Sequence, residues 1–231
     1  MQQSWISIDA AGGGRCEAYL SLPPSGRGPG LLLLQEIFGV NRHIRAVADQ
    51  YALDGFVVLA PDVFWREAPR IELGYTGADR ERAMQLLAQA DRAQLAADLA
   101  TSVAALRARP ECSGRVGAFG YCMGGRLAYL AAAGSGIDAA SCFYGGGIQD
   151  QLEHAPRIAC PIQFHYGERD THIPPAAVEK VKAAFAGHAG AELHRYDAEH
   201  GFNCWERASY HAPSAALAHA RTLDLFARTL F

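Results

Sequence analysis

Gly120-Tyr121-Cys122-Met123-Gly124-Gly125 follows the apolar run Arg115-Val116-Gly117-Ala118-Phe119 and precedes a run of small residues, Arg126 to Ala133. That order predicts a strand, a single apex residue and a helix. It is the layout of a nucleophile elbow, G-x-Nuc-x-G, with cysteine at the position more often held by serine. The glycines have a physical reason: the apex turn is strained, and strand and helix close around it only where the flanking positions lack a Cβ. The helix start then aims free N–H groups at the apex, which favours a thiolate and a developing oxyanion. Glycine-flanked cysteines also occur where a helix simply packs close to a strand, so the six residues need support from the rest of the chain.

Working outward, further apolar runs lack alternation, as strands buried on both faces do. They are Gly30 to Gln35, Phe56 to Ala60, Ala140 to Tyr144 and Ile162 to Tyr166. Between them lie helical stretches: His43 to Leu53, capped by Asn41, then Asp79 to Asp91, Gln94 to Ala108, Ala176 to Ala186 and Ser214 to Phe231. Ser4 to Ile8 and Cys16 to Ser21 read as an edge hairpin around Gly12-Gly13-Gly14, and Glu192 to Tyr196 as a last strand. Strands alternating with helices give an α/β chain, a mainly parallel, doubly wound sheet of about eight strands flanked by helices. Residues 1–231 show no repeat, linker or composition break and read as a single domain. The Ala-rich helices read as packing layers.

Composition narrows the function. Of 231 residues half are hydrophobic, enough for a sizeable core, and a formal net charge of −3 without any long basic run speaks against a nucleic-acid binder. The two lysines, Lys180 and Lys182, share one surface helix, which leaves Schiff-base and Ser–Lys chemistry poorly served. The six cysteines are scattered without a C-x-x-C pair, so neither a zinc site nor a disulfide framework is expected. No signal peptide or membrane span is evident, and free thiols suit a reducing, cytoplasmic setting. No metal, cofactor or membrane partner is expected; monomer and homodimer stay open.

In doubly wound sheets, functional groups sit on loops beyond the C-terminal ends of the strands. That rule selects Glu36, Cys122, Asp170 and His200. Nucleophile, acid and histidine in that chain order match the α/β-hydrolase arrangement. Cys122 needs a base to become a thiolate, His200 can take the proton, and Asp170 can fix the imidazole. Backbone N–H groups of Met123 and Ile37 are candidate oxyanion donors. His172 is the rival to His200 and reads as a loop wall; His165, within a strand, reads as a core histidine; Asp62 reads as a turn residue.

These residues resemble the dienelactone hydrolase family over nearly the whole chain. The resemblance rests on Gln35-Glu36-Ile37-Phe38-Gly39-Val40-Asn41, the elbow, Tyr144-Gly145, Gly167-Glu168-Arg169-Asp170 and His200-Gly201-Phe202. It implies a cofactor-free thiol hydrolase acting on small-molecule lactones of the carboxymethylenebutenolide type, from aromatic-compound degradation, with Cys122, Asp170 and His200 as triad. It also implies that Glu36 lies beside the resting thiol and exchanges a proton with it, since two adjacent anions repel. Tyr144 and Arg80 fall at family substrate-binding positions. A second clamp arginine is expected four residues after the histidine, where Cys204 stands; Arg207 either replaces it or faces solvent. Met84 and Leu87 share the side of Arg80, so an apolar pocket with one arginine is expected. Two rival readings are a broad thiol esterase with no carboxylate requirement and a redox-sensing, non-catalytic protein of the same fold.

Overall fold

The computed structural model describes residues 2–231. Two strands, β1 (Gln2–Asp9) and β2 (Arg15–Leu22), pair as an antiparallel hairpin, with β1 at the sheet edge. The chain continues through β3 (Gly28–Leu34), α1 (Arg42–Leu53), β4 (Val57–Pro61), α2 (Gly77–Gln89) and α3 (Arg92–Arg107). It closes with β5 (Cys112–Tyr121), α4 (Met123–Gly134), β6 (Ala139–Phe143), β7 (Ile162–Gly167), α5 (Pro175–Ala184), β8 (Ala191–Tyr196) and α6 (Ala212–Leu230). The eight strands form one mixed sheet in the order β1-β2-β4-β3-β5-β6-β7-β8. All pairs from β4 to β8 are parallel, while β2 joins both neighbours antiparallel.

The unpatterned runs end up where their composition requires. β3, β4, β6 and β7 are buried along their whole length, because helices cover both faces. The register shows this directly. Gly30 pairs with Val116, and a Cβ on Gly30 would meet Leu106 of α3; the next pair, Leu31 with Gly117, faces Phe226 and Leu230 of α6. Successive residues point to opposite faces, so α3 and α6 lie on opposite sides of the sheet. Asn41 caps α1 as its side chain accepts the Ile44 N–H at 3.2 Å.

Two expectations change. α4 begins at Met123, directly after the apex, because a helix that starts there uses its own first N–H groups around Cys122. α2 is no packing layer: only Ala83 and Leu86 are buried, and its other side carries Arg80, Met84 and Leu87 to a cavity. The β-strand histidine His165 is fully buried, as a core residue is. Asp62 braces the loop after β4, accepting the N–H groups of Phe64 and Arg70 at 3.0 and 2.6 Å.

Candidate active site

The elbow is held by close backbone packing. A Cβ on Gly124 would fall 2.0 Å from the Leu34 carbonyl oxygen, and one on Gly120 would fall 2.5 Å from the Gly124 oxygen. Only glycine lets α4 start against the end of β3, and that contact brings Met123 beside Ile37 at the mouth of the site. Cys122 itself sits at φ +55° and ψ −114°, a conformation costly for a residue with a Cβ. Its N–H donates to the Phe143 carbonyl at 3.0 Å, which helps hold the turn.

Asp170 and His200 arrive on the loops after β7 and β8. Asp170 Oδ1 accepts the N–H groups of His172 and Ile173 at 2.8 and 3.1 Å, so the carboxylate is fixed by its own loop. Its Oδ2 lies 2.7 Å from His200 Nδ1, leaving the other imidazole nitrogen for the Cys122 thiol. Burial alone would depress the His200 pKa. The hydrogen bond with Asp170 and the nearness of Cys122 outweigh it and push His200 up to about 10. His172 stands on the cavity wall with its ring 4.8 Å from that of His200. Asp170, His172 and His200 gather donor atoms within 4.8 Å, the geometry of a candidate metal cluster. Both Asp170 oxygens, however, are already engaged by the loop and by His200.

Glu36 is 1% exposed, and its Oε1 accepts from Arg207 Nη1 at 2.9 Å. Burial raises its pKa against the opposing charges of Arg207 and His200. Its Oε2 is buried without a hydrogen-bond partner among the described residues. Arg207 therefore turns inward and passes across Gly201, where a Cβ would fall 2.5 Å from Nη1. The Glu36 carboxylate is hydrogen-bonded to Arg207 rather than to Cys122. Tyr144, held at φ +35°, is fully buried with its ring 5.0 Å from His200 and its hydroxyl unpartnered. It backs the histidine and is not on the cavity wall.

A cavity of about 260 Å³ joins these groups. Its walls include Arg80 and Arg207, the apolar side chains Phe38, Met84 and Leu87, and one residue the sequence reading passed over, Arg126. The pocket holds three arginines rather than one. The signal for Arg126 was present: a single charged residue in the first turn of an otherwise small and apolar helix.

Residues 16–230 match the family model described as the dienelactone hydrolase family. The chain belongs to that family. Membership makes it a hydrolase of ester or lactone bonds. Its relatives include the carboxymethylenebutenolidase of a Pseudomonas species, 38% identical over 224 residues that span 96% of this chain and 94% of the relative. Carboxymethylenebutenolidase 1 of Cupriavidus pinatubonensis is 33% identical, covering 98% of this chain and 97% of its own. Among solved structures, a putative dienelactone hydrolase from Klebsiella pneumoniae superimposes with a TM-score of 0.86 at 29% identity, over 98% of this chain and 99% of that one.

Proposed function

We propose that this hydrolase opens a lactone, or cleaves a small carboxylic ester, of the dienelactone type through Cys122, His200 and Asp170. The observation that carries the reading is the ordered file Asp170–His200–Cys122, ending at a strained apex on a helix start. His200 takes the thiol proton, Asp170 stabilises the imidazolium, and the thiolate attacks the carbonyl carbon. The N–H groups of Met123 and Ile37, both on the cavity wall, stabilise the tetrahedral oxyanion. Collapse breaks the carbon–oxygen bond, and His200 returns its proton to the departing oxygen. In a lactone that oxygen stays tethered within the acyl-enzyme. Water, deprotonated by His200, then releases the acid.

Glu36 and Arg207 add a control step. Arg207 cannot serve both Glu36 and a substrate carboxylate fully. An anionic substrate that engages Arg207 leaves Glu36 buried without its cation, and a carboxylate so placed takes up a proton. Arg80 and Arg207 favour a substrate bearing a carboxylate over a neutral ester. The six unpaired cysteines suit a reducing cytoplasm, and no helix among the described residues is long and apolar enough to cross a membrane. The test is direct. Cys122→Ala should lose at least about a thousandfold in kcat, and mass spectrometry should find an acyl adduct on Cys122 of the wild type. Substantial lactone hydrolysis by the alanine variant would sink the mechanism.

A further inference from the structure

Of the five arginines without a side-chain partner among the described residues, Arg27 alone lies away from the site, beside Pro29 and Phe231. Arg80, Arg92, Arg126 and Arg157 make no side-chain hydrogen bond or ion pair among the described residues, and all four line the active-site cavity or the groove adjoining it. The groove, of about 380 Å³, runs along α4 between α3 and the segment 148–157. Its floor is apolar, made by Leu95, Leu127, Leu130 and Ala133. Arg126 lines both spaces, so the groove adjoins the cavity at Cys122 across that side chain. Gly147 makes room for its guanidinium, since a Cβ there would fall 2.9 Å from Nη1. Burial and the charge of Arg92 hold the Arg126 pKa below its usual value. At the far end, Arg157 reaches over Gly134, where a Cβ would lie 3.7 Å from Nη2. Glu153 is drawn to the rim, 3.7 Å from His154, and leaves Arg157 unpaired.

We propose that this groove is an extension of the active site, taking an ester whose body is apolar and whose far end is a carboxylate held by Arg157. The inference rests on Cys122 being the attacked-carbonyl end. Arginine suits a carboxylate by bidentate pairing, and a concave apolar trough with a few convergent polar groups is how such ligands are held. From Arg126 to Gly134 the helix rises ~12 Å, so beside the compact lactone acid that the cavity suits, the groove admits a long dicarboxylic monoester.

The test pairs para-nitrophenyl hydrogen sebacate with its methyl-capped diester, which has the same body without the charge. The wild type should prefer the free acid in kcat/KM by about tenfold, as one charge-assisted contact provides. Arg157→Gln should bring the two substrates within about threefold, and Arg157→Lys should restore part of the preference. Calorimetry with sebacate itself reads the groove without turnover and should show about tenfold weaker binding in Arg157→Gln. Equal use of the two esters by the wild type, or sebacate binding indifferent to Arg157, overturns the proposal. If neither ester is hydrolysed but sebacate binding still depends on Arg157, the role given to Cys122 fails and the groove stands as a carboxylate site.

Discussion

Asp170 and Cys122 raise the pKa of His200, and that effect can be measured. The His200 pKa lies at about 10 instead of the usual 6.5, raised by Asp170 and by the neighbouring Cys122. A histidine raised on folding adds stability that is complete below pH 6.5 and is lost as pH climbs through about 10. Melting temperature should therefore fall across that window in the wild type and less steeply in Cys122→Ala, whose His200 is supported by Asp170 alone. Superimposable pH profiles would show that the thiol does not hold the imidazolium. The Glu36–Arg207 pair supplies a second prediction at this scale. Arg207→Gln leaves a buried carboxylate without its cation, which should cost about 1–3 kcal/mol in chemical denaturation. The same variant should raise KM for carboxylate-bearing substrates more than for neutral ones. Cys122, Asp170 and His200 were legible because each follows the C-terminal end of a strand in the required order. The inward turn of Arg207 was not, because only the packing over Gly201 decides whether it faces Glu36 or solvent.

The elbow shows what an element can and cannot disclose through its sequence. Its strand, apex and helix are readable because glycine spacing and apolar runs are local signals. Which glycine bears the tightest contact is not, since the neighbour belongs to β3, some ninety positions earlier in the chain. Gly124 faces the Leu34 and Gln35 carbonyl oxygens at 2.0 and 2.6 Å from an added Cβ, both backbone atoms that cannot swing aside. Gly124→Ala must push α4 away from the end of β3 and with it Met123 from Ile37. We expect a loss of roughly 3 kcal/mol or more, at the upper end for overpacking, together with loss of most kcat because the proposed oxyanion donors separate. Gly136→Ala is the contrast, a turn glycine with nothing within 4 Å of an added Cβ but at φ +65°. It should cost about 1 kcal/mol through backbone strain alone. Stability by urea denaturation and kcat on the same preparations separate the two cases. That α2 borders the pocket was implied by the family resemblance and not by its own pattern. Its apolar positions predict a helix, but whether that helix packs on the sheet or roofs a cavity depends on what lies beneath.

Across the whole molecule, the sheet that presents the site is anchored from below by polar groups no local pattern reveals. His165 of β7 bonds Tyr196 of β8 at 2.8 Å through Nδ1 and Thr222 of α6 at 3.2 Å through Nε2. Thr222 in turn meets Ser141 of β6 at 2.9 Å. Three strands and the closing helix are thus tied by one buried network, on the strand whose end carries Asp170. Burial holds the His165 pKa well below 6.5, with the charges of His194 and Arg221 adding to it. A histidine depressed on folding contributes stability above pH 6.5 that is lost as acid protonates the unfolded chain first, the opposite sense to His200. Thr222→Val keeps the shape but leaves Ser141 and His165 each short of a partner, at a cost of about 1–3 kcal/mol, or roughly 5 °C in Tm for a chain of this size. Because the network lies beneath the sheet and not on the cavity wall, kcat/KM at low temperature should change by less than about twofold. A large kinetic defect in a well-folded Thr222→Val protein would mean that the position of Asp170 depends on this network, and that the site is less rigidly carried by its own loops than their hydrogen bonds imply.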